Sequence, residues 1–190
     1  IADTASFAFA VLAILISQTG ESKATNVAFS SVKESLLDGL KFIFKSKDLI
    51  QTQFFFTFQN FLNGMMAGLF AAFVLSHTKG DKSILAFVTS AIAVAALLGS
   101  TYQAAFPVKN KLILIIATLT AVGALSGRVA IGFSVGAISW ALGFGLRSFC
   151  NPIVNSCNQT FWQQRVPMEM QGRVFGARRL LGQGLYPVAV

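Results

Sequence analysis

Charge is what this sequence has least of. Only 12% of its 190 residues are charged, with 7 acids against 15 lysines and arginines, where a soluble domain carries about 25% charged residues. A soluble chain of this size needs a polar shell around one core, and there is too little polar sequence here to build one. Histidine occurs once, at His77, so the sequence shows no metal cluster. Cysteine occurs twice, at Cys150 and Cys157. Seven residues of helix separate them by roughly 10 Å of rise, too far for a disulfide. No Ser–His–acid set and no phosphate-binding glycine loop between a strand and a helix is present. Neither an enzyme nor a cofactor is therefore expected, and Gly143-x-Gly145 reads as a helix-packing feature.

What is abundant is apolar residue, 54% of the chain, including 19 Phe. The charges gather at 21–48, 77–82, 107–111 and 165–179, and long apolar runs lie between them. A net charge of +8 suggests nucleic acid in a soluble chain. Here the basic residues flank apolar runs, so no nucleic-acid partner is expected and anionic lipid headgroups are the counter-charge. A bilayer core about 30 Å thick takes roughly 20 apolar residues as helix. The runs that qualify are Leu49–Leu75, Ile84–Phe106, Pro107–Ser126 and Val129 to about Thr160. Ala5–Ser17 reads as the rest of an earlier span, and Val174 onward as the start of a further one. Lipid offers the backbone no partners, so the runs must be helices; they lack the alternating polarity of a barrel. The expected fold is all-α, a multi-spanning bundle of about five spans plus the start of a sixth. Ile1 is not Met and residues 180–190 stop within an apolar pattern, so both ends read as cut.

Three parts follow: an end-truncated span over 1–17, a linker with a surface helix over 18–48, and the bundle over 49–190. Val32, Leu36, Leu40, Ile43 and Phe44 recur at helical spacing, with Lys33, Glu34, Asp38, Lys41 and Lys45 on the other face. Ser31-x-x-Glu34 fits a capping box, and the segment reads as an amphipathic helix on the membrane surface with a solvated polar face. Eleven basic residues then fall on the side of the 18–48 segment, while Lys79, Lys82 and Arg128 fall on the other, which sets the former side as cytoplasmic. Small residues at four-residue spacing, Gly64/Gly68, Ala91/Ala95/Gly99 and Gly132/Gly136, are candidates for close helix approach.

Arg147 stands inside a span, where a charge costs at least about 2.5–3.5 kcal/mol, so it must face protein or water. Asn151, Asn155 and Asn158 follow on nearly the same face, with Pro152 expected to kink the helix. Gln59, Asn60 and Asn63, with Thr52 and Phe56, form a second polar stripe in the Phe-rich 49–75 run. Two readings stand for both stripes: the lining of a central cavity for an amphipathic organic molecule, or polar glue between helices. Tyr102 and Gln103 are weaker candidates. Gln163, Pro167, Glu169, Gly172 and Arg173 form a connector: Pro167 ends a helix, Glu169 meets the next helix N-terminus or Arg173, and Gly172 permits a tight turn.

Asp3-Thr4-Ala5-Ser6-Phe7, the amphipathic 30–48 segment, and above all Gln163-x-x-Val166-Pro167-x-Glu169-x-x-Gly172-Arg173-Val174-Phe175 with Gln183 and Pro187 resemble the second half of a major facilitator superfamily exporter. The nearest type is the enterobactin-exporter-like, twelve-span drug–proton antiporter group that includes macrolide efflux proteins. The resemblance covers essentially the whole chain. It implies spans six to ten and the start of eleven, in a protein whose N-terminal half lies elsewhere. It also implies efflux of a small organic substrate (drug, siderophore or similar) by alternating access, coupled to protons, across the bacterial inner membrane. The 163–175 loop would then change contacts as the halves rock. The acidic, Arg-rich gate expected between spans eight and nine is missing: residues 99–111 hold Lys109 and Lys111 but no acid. Asp3 would cap a helix, leaving the titrating acids in the other half. The competing reading is a non-transporting membrane scaffold or assembly subunit that keeps the fold.

Overall fold

A computed structural model describes residues 32–133 and 136–184. The span expected over 5–17, the linker over 18–29, Asp3 and the Ser31 cap lie outside these residues. The chain divides into two units, residues 1–34 and 35–190, and the architecture below is that of the second. All regular structure among the described residues is helical. Helix α1 runs Val32–Lys45, α2 Lys47–His77, α3 Lys82–Ala105 and α4 Leu112–Ala124. A π-helical turn, Leu125–Val129, carries α4 into the short α5, Ala130–Phe133. The long α6 is Ala137–Arg165, and a 3-10 turn, Met168–Met170, leads into α7, Gln171–Gln183.

Among the described residues two helices, α2 and α3, are long and apolar enough to cross a membrane; at 1.5 Å per residue they reach about 46 and 36 Å. Leu112–Arg128 is a shorter apolar helix. Two expected boundaries move. The run expected over Pro107–Ser126 is not helical until Leu112, because Pro107 lacks a donor and Lys111 sits in the left-handed region at φ 52°. The next expected span, from Val129, begins only at Ala137. Residues 129–133 instead extend the preceding helix through the π turn. No charge marks the turn between Val129 and Ala137, so the apolar pattern runs straight across it. Pro152 lies within α6, which continues through it.

Helix α6 is the hub. It packs along α3 on one side and along α4 and the π turn on the other, while α2 packs against α7. Its many amides make it less apolar than α2, α3 and α4, and its central position explains why it tolerates them. Two apolar clusters hold the unit. Ile43, Leu49, Leu112, Ile153, Trp162 and Val174 meet at one end; Val74, Val88, Trp140 and Phe144 meet at the other. The start of α2, the 106–111 connection and the end of α6 therefore share one end, and the α2–α3 turn sits with Trp140 at the opposite one. That turn uses positive φ at Lys79 and Gly80, and Gly80 N–H bonds the Leu75 carbonyl at 2.8 Å. Asp81 caps α3, accepting from Ser83 N–H at 2.8 Å.

Of the small-residue sets, Ala91/Ala95/Gly99 lies at the α3–α6 contact. A Cβ on Gly99 would collide with the Phe149 carbonyl, and Ala95 Cβ lies 3.7 Å from the Cβ position of Gly145. Gly68 and Gly132 face open space instead, and Gly136 meets only the Ser139 side chain. Large apolar side chains cover the outside: Leu69, Leu97, Ile138 and Leu142 are 63–71% exposed.

The polar face of α1 is not simply solvated. Asp38 pairs with Arg173 of α7 at 3.2 Å, and a Cβ on Gly39 would strike the Arg173 carbonyl. Ile43 closes the contact, fully buried.

Candidate functional site

Between the two apolar clusters, near the middle of α2 and α6, is a polar cleft. Its walls come from α2 (Phe56, Gln59, Asn60, Asn63), from the end of α4 (Leu119, Thr120, Gly123, Arg128) and from α6 (Arg147, Asn151, Asn155). This part measures about 50 Å³. An adjoining space of about 430 Å³ shares Phe56, Asn60 and Asn155 with it and opens between Asn158, Phe175, Arg178 and Arg179.

At the closed end two guanidinium groups converge on one amide. Arg128 Nη2 donates to Asn63 Oδ1 at 2.7 Å, and Arg147 Nη2 donates to the same oxygen. Arg128 Nη1 reaches Gln59 Oε1 at 3.5 Å. Two donors on one oxygen place the charges about 5 Å apart. At an effective dielectric of about 20, that is about 3 kcal/mol of repulsion. The amide oxygens offset part of it without neutralising either charge. Among the described residues no carboxylate lines either part of the cleft, and in the sequence Asp81 is the only acid between Asp48 and Glu169. Arg128 Nε and Thr120 Oγ1 are buried here without a hydrogen-bond partner, as is Asn158 Oδ1 along the wider part.

The stem of Arg147 has a slot of its own. Its Cγ lies 3.3 Å from the Cβ position of Gly123, and its Cδ lies 2.8 Å from that of Gly127. Two glycines one helical turn apart thus let α4 and its π turn accept an arginine stem lying across them.

The structure brings Phe56, Gln59, Asn63, Arg147, Asn151 and Asn155 to one cavity and Asn158 to its extension. Asn155 Nδ2 also donates to Asn151 Oδ1 at 3.3 Å. Asn60 is used differently, donating to the Gly182 carbonyl at 3.0 Å. Gln53 and Thr57 likewise hold the Arg178 and Leu181 carbonyls at 3.2 and 3.3 Å. This face of α2 therefore binds backbone carbonyls along α7. Gln103 is buried and donates to Ser156 at 3.0 Å, and Tyr102 packs on Phe149; neither lines the cleft.

Arg128, expected in the connection between two spans, lies in the π turn and lines the cleft. The π turn swings it into the cleft. Its signal was the Gly123 and Gly127 pair beside it, four residues apart like the other sets.

The connector residues stand apart from the cleft. Gln163 and Glu169 are exposed, and Pro167 precedes the 3-10 turn, its carbonyl accepting from Met170 N–H at 2.9 Å. Arg173 bonds Asp38 rather than Glu169. Gly172 faces open space in the first turn of α7, without the positive φ that a turn would require. Among the described residues no group of His, Cys, Asp or Glu is placed to hold a metal. No protein-family model, curated protein or solved structure matches this chain.

Proposed function

We propose that this chain forms much of the C-terminal half of a multi-spanning secondary transporter of the major facilitator type, embedded in the bacterial inner membrane. It moves a small amphipathic organic molecule outward by alternating access, coupled to protons, and it has no enzymatic activity. Its partners are the lipid bilayer, the substrate, protons and an N-terminal half of the same protein; nucleic acid is not among them. Residues 18–48 and 163–179 face the cytoplasm, α4 with α5, and α6, cross the membrane beside α2 and α3, and the end of α7 starts a further span.

One observation carries this reading: a cationic, amide-lined cleft lies mid-bundle beneath an apolar exterior. Phe54, Phe58, Leu97, Leu98, Ile138 and Leu142 are all exposed, and lipid is the solvent in which such a surface is stable. A charge at that depth is retained where it lines a water-filled path. The family resemblance supplies the direction of flux and the coupling ion.

The test uses the full-length protein in proteoliposomes. Arg147→Ala lowers substrate flux without loss of membrane insertion, and residues 1–190 alone support no flux, because one half does not enclose a pathway. Single cysteines at positions 45, 109 and 165 react with a membrane-impermeant maleimide from one side, and one at 79 from the other. Unchanged flux in Arg147→Ala, or labels at 45 and 165 on opposite faces, would overturn the reading; a protein that inserts correctly yet moves nothing is the scaffold.

A further inference from the structure

The cleft has a chemical preference that the transporter reading does not specify. Its closed end holds Arg128 and Arg147 on a single amide oxygen. There the Nε–H of Arg128 itself and the Thr120 hydroxyl are buried and bond nothing. An arginine has five donors in a fixed fork that matches an oxyanion, and here two forks converge where the described residues place no acid. At about 50 Å³ the narrower space has room for a headgroup and not for an organic body. The adjoining space of about 430 Å³ has room for the body, between Phe56 and Phe175, with Arg178 and Arg179 at its mouth. Among the described residues the charge lining both spaces is therefore of one sign.

We infer that the ligand of this cleft is an amphipathic organic anion. Its carboxylate, sulfonate or phosphate head sits between Arg128 and Arg147, and its apolar body lies along Phe56. The anion supplies the counter-charge that the described lining omits, and Asn63 holds the two guanidiniums in place until it arrives. The part of this inference that concerns movement rests on the transporter reading; the part that concerns binding does not.

The experiment measures binding to the full-length protein in phosphatidylcholine nanodiscs by calorimetry. Four probes share one ring system: 1-naphthoate, 1-naphthalenesulfonate, 1-naphthamide and 1-naphthylmethylamine. The two anions bind at least about tenfold tighter than the amide and the amine, as expected when charge-assisted hydrogen bonds are lost. Arg128→Gln and Arg147→Gln abolish that preference. Asn63→Asp is the decisive variant: nearly the same shape, it places a carboxylate between the arginines. It weakens anion binding by at least about tenfold while the melting temperature holds or rises, which separates loss of the site from loss of the fold.

Equal or tighter binding of the amide or amine, binding of none of the four, or full anion affinity in Asn63→Asp would overturn the inference. Displacement of 1-naphthoate by phosphatidylglycerol would assign the cleft to a lipid headgroup, and so overturn it as well. Flux in proteoliposomes is read separately. Anion-selective binding without flux supports the site and removes the transporter reading. Flux of 1-naphthamide in preference to 1-naphthoate leaves a transporter and removes the anion site.

Discussion

Arg147 lies across Gly127 so closely that a Cβ there would stand 2.8 Å from the arginine Cδ. The position of the one guanidinium in the middle of α6 is thus set by a missing side chain on another element. Gly127→Ala should push the Arg147 stem off its rotamer, at roughly 0.5–1.5 kcal/mol. The atom met belongs to a flexible side chain, so the displacement falls on the guanidinium rather than the backbone. The expected outcome is a melting temperature in detergent close to that of the parent, with flux or ligand binding reduced as far as in Arg147→Ala. Gly123→Ala, whose nearest contact is 3.3 Å, should have the smaller effect.

The α3–α6 contact should respond in the opposite way. Gly99 faces the Phe149 backbone, which cannot swing aside. Gly99→Ala should therefore destabilise the protein by about 1–3 kcal/mol through overpacking, read as a fall in thermal midpoint. Gly68→Ala is the control. It faces open space within α2, and removing glycine from a helix interior gains roughly 0.5–1 kcal/mol.

Docking of α1 on α7 can be followed with trypsin, because Lys41 and Lys45 are exposed on α1. Gly39→Ala blocks the approach to the Arg173 carbonyl and should speed cleavage in α1 several-fold if local opening is eased by about 1 kcal/mol. Asp38→Asn should do much less. The Asp38–Arg173 pair is partly exposed, at 43% and 32%, and such pairs contribute about 0–1 kcal/mol.

Asp81 provides a pH test. The Ser83 backbone N–H, helped by its hydroxyl, holds the Asp81 carboxyl below the ordinary carboxylate range. A group whose pKa is lowered on folding stabilises the native state above its unfolded value, and that stabilisation is lost as pH falls through the folded value. The difference in thermal midpoint between the parent and Asp81→Ala should be constant from neutral pH down to the ordinary carboxylate range, and should shrink only below it. Asp81→Asn, a capping residue without a titration, should show no such dependence. A difference that grew on acidification would contradict the capping role.

The helices were legible in the sequence wherever charge punctuated an apolar run. The stretches Leu49–Leu75 and Ile84–Phe106 lie within two or three residues of the ends of α2 and α3, because lysines and the Lys79–Gly80 turn bound them. Arg147, Gln59 and Asn63 stood out in the same way, as polar residues that an apolar run must have a reason to keep. Those signals are local: helical periodicity and burial cost are carried by the neighbouring residues themselves.

Other features became visible only in three dimensions. Arg128 joins Arg147 because a π turn rotates it inward. Asn60 holds α7 while Asn63, three residues on, holds two arginines. Arg173 takes Asp38 over the nearer Glu169. Spacing along one helix says which residues share a face, but which surface that face meets depends on how closely the backbones approach. That approach is decided at Gly39, Gly99, Gly123 and Gly127, where the absence of a side chain has meaning only once the opposite helix is in place.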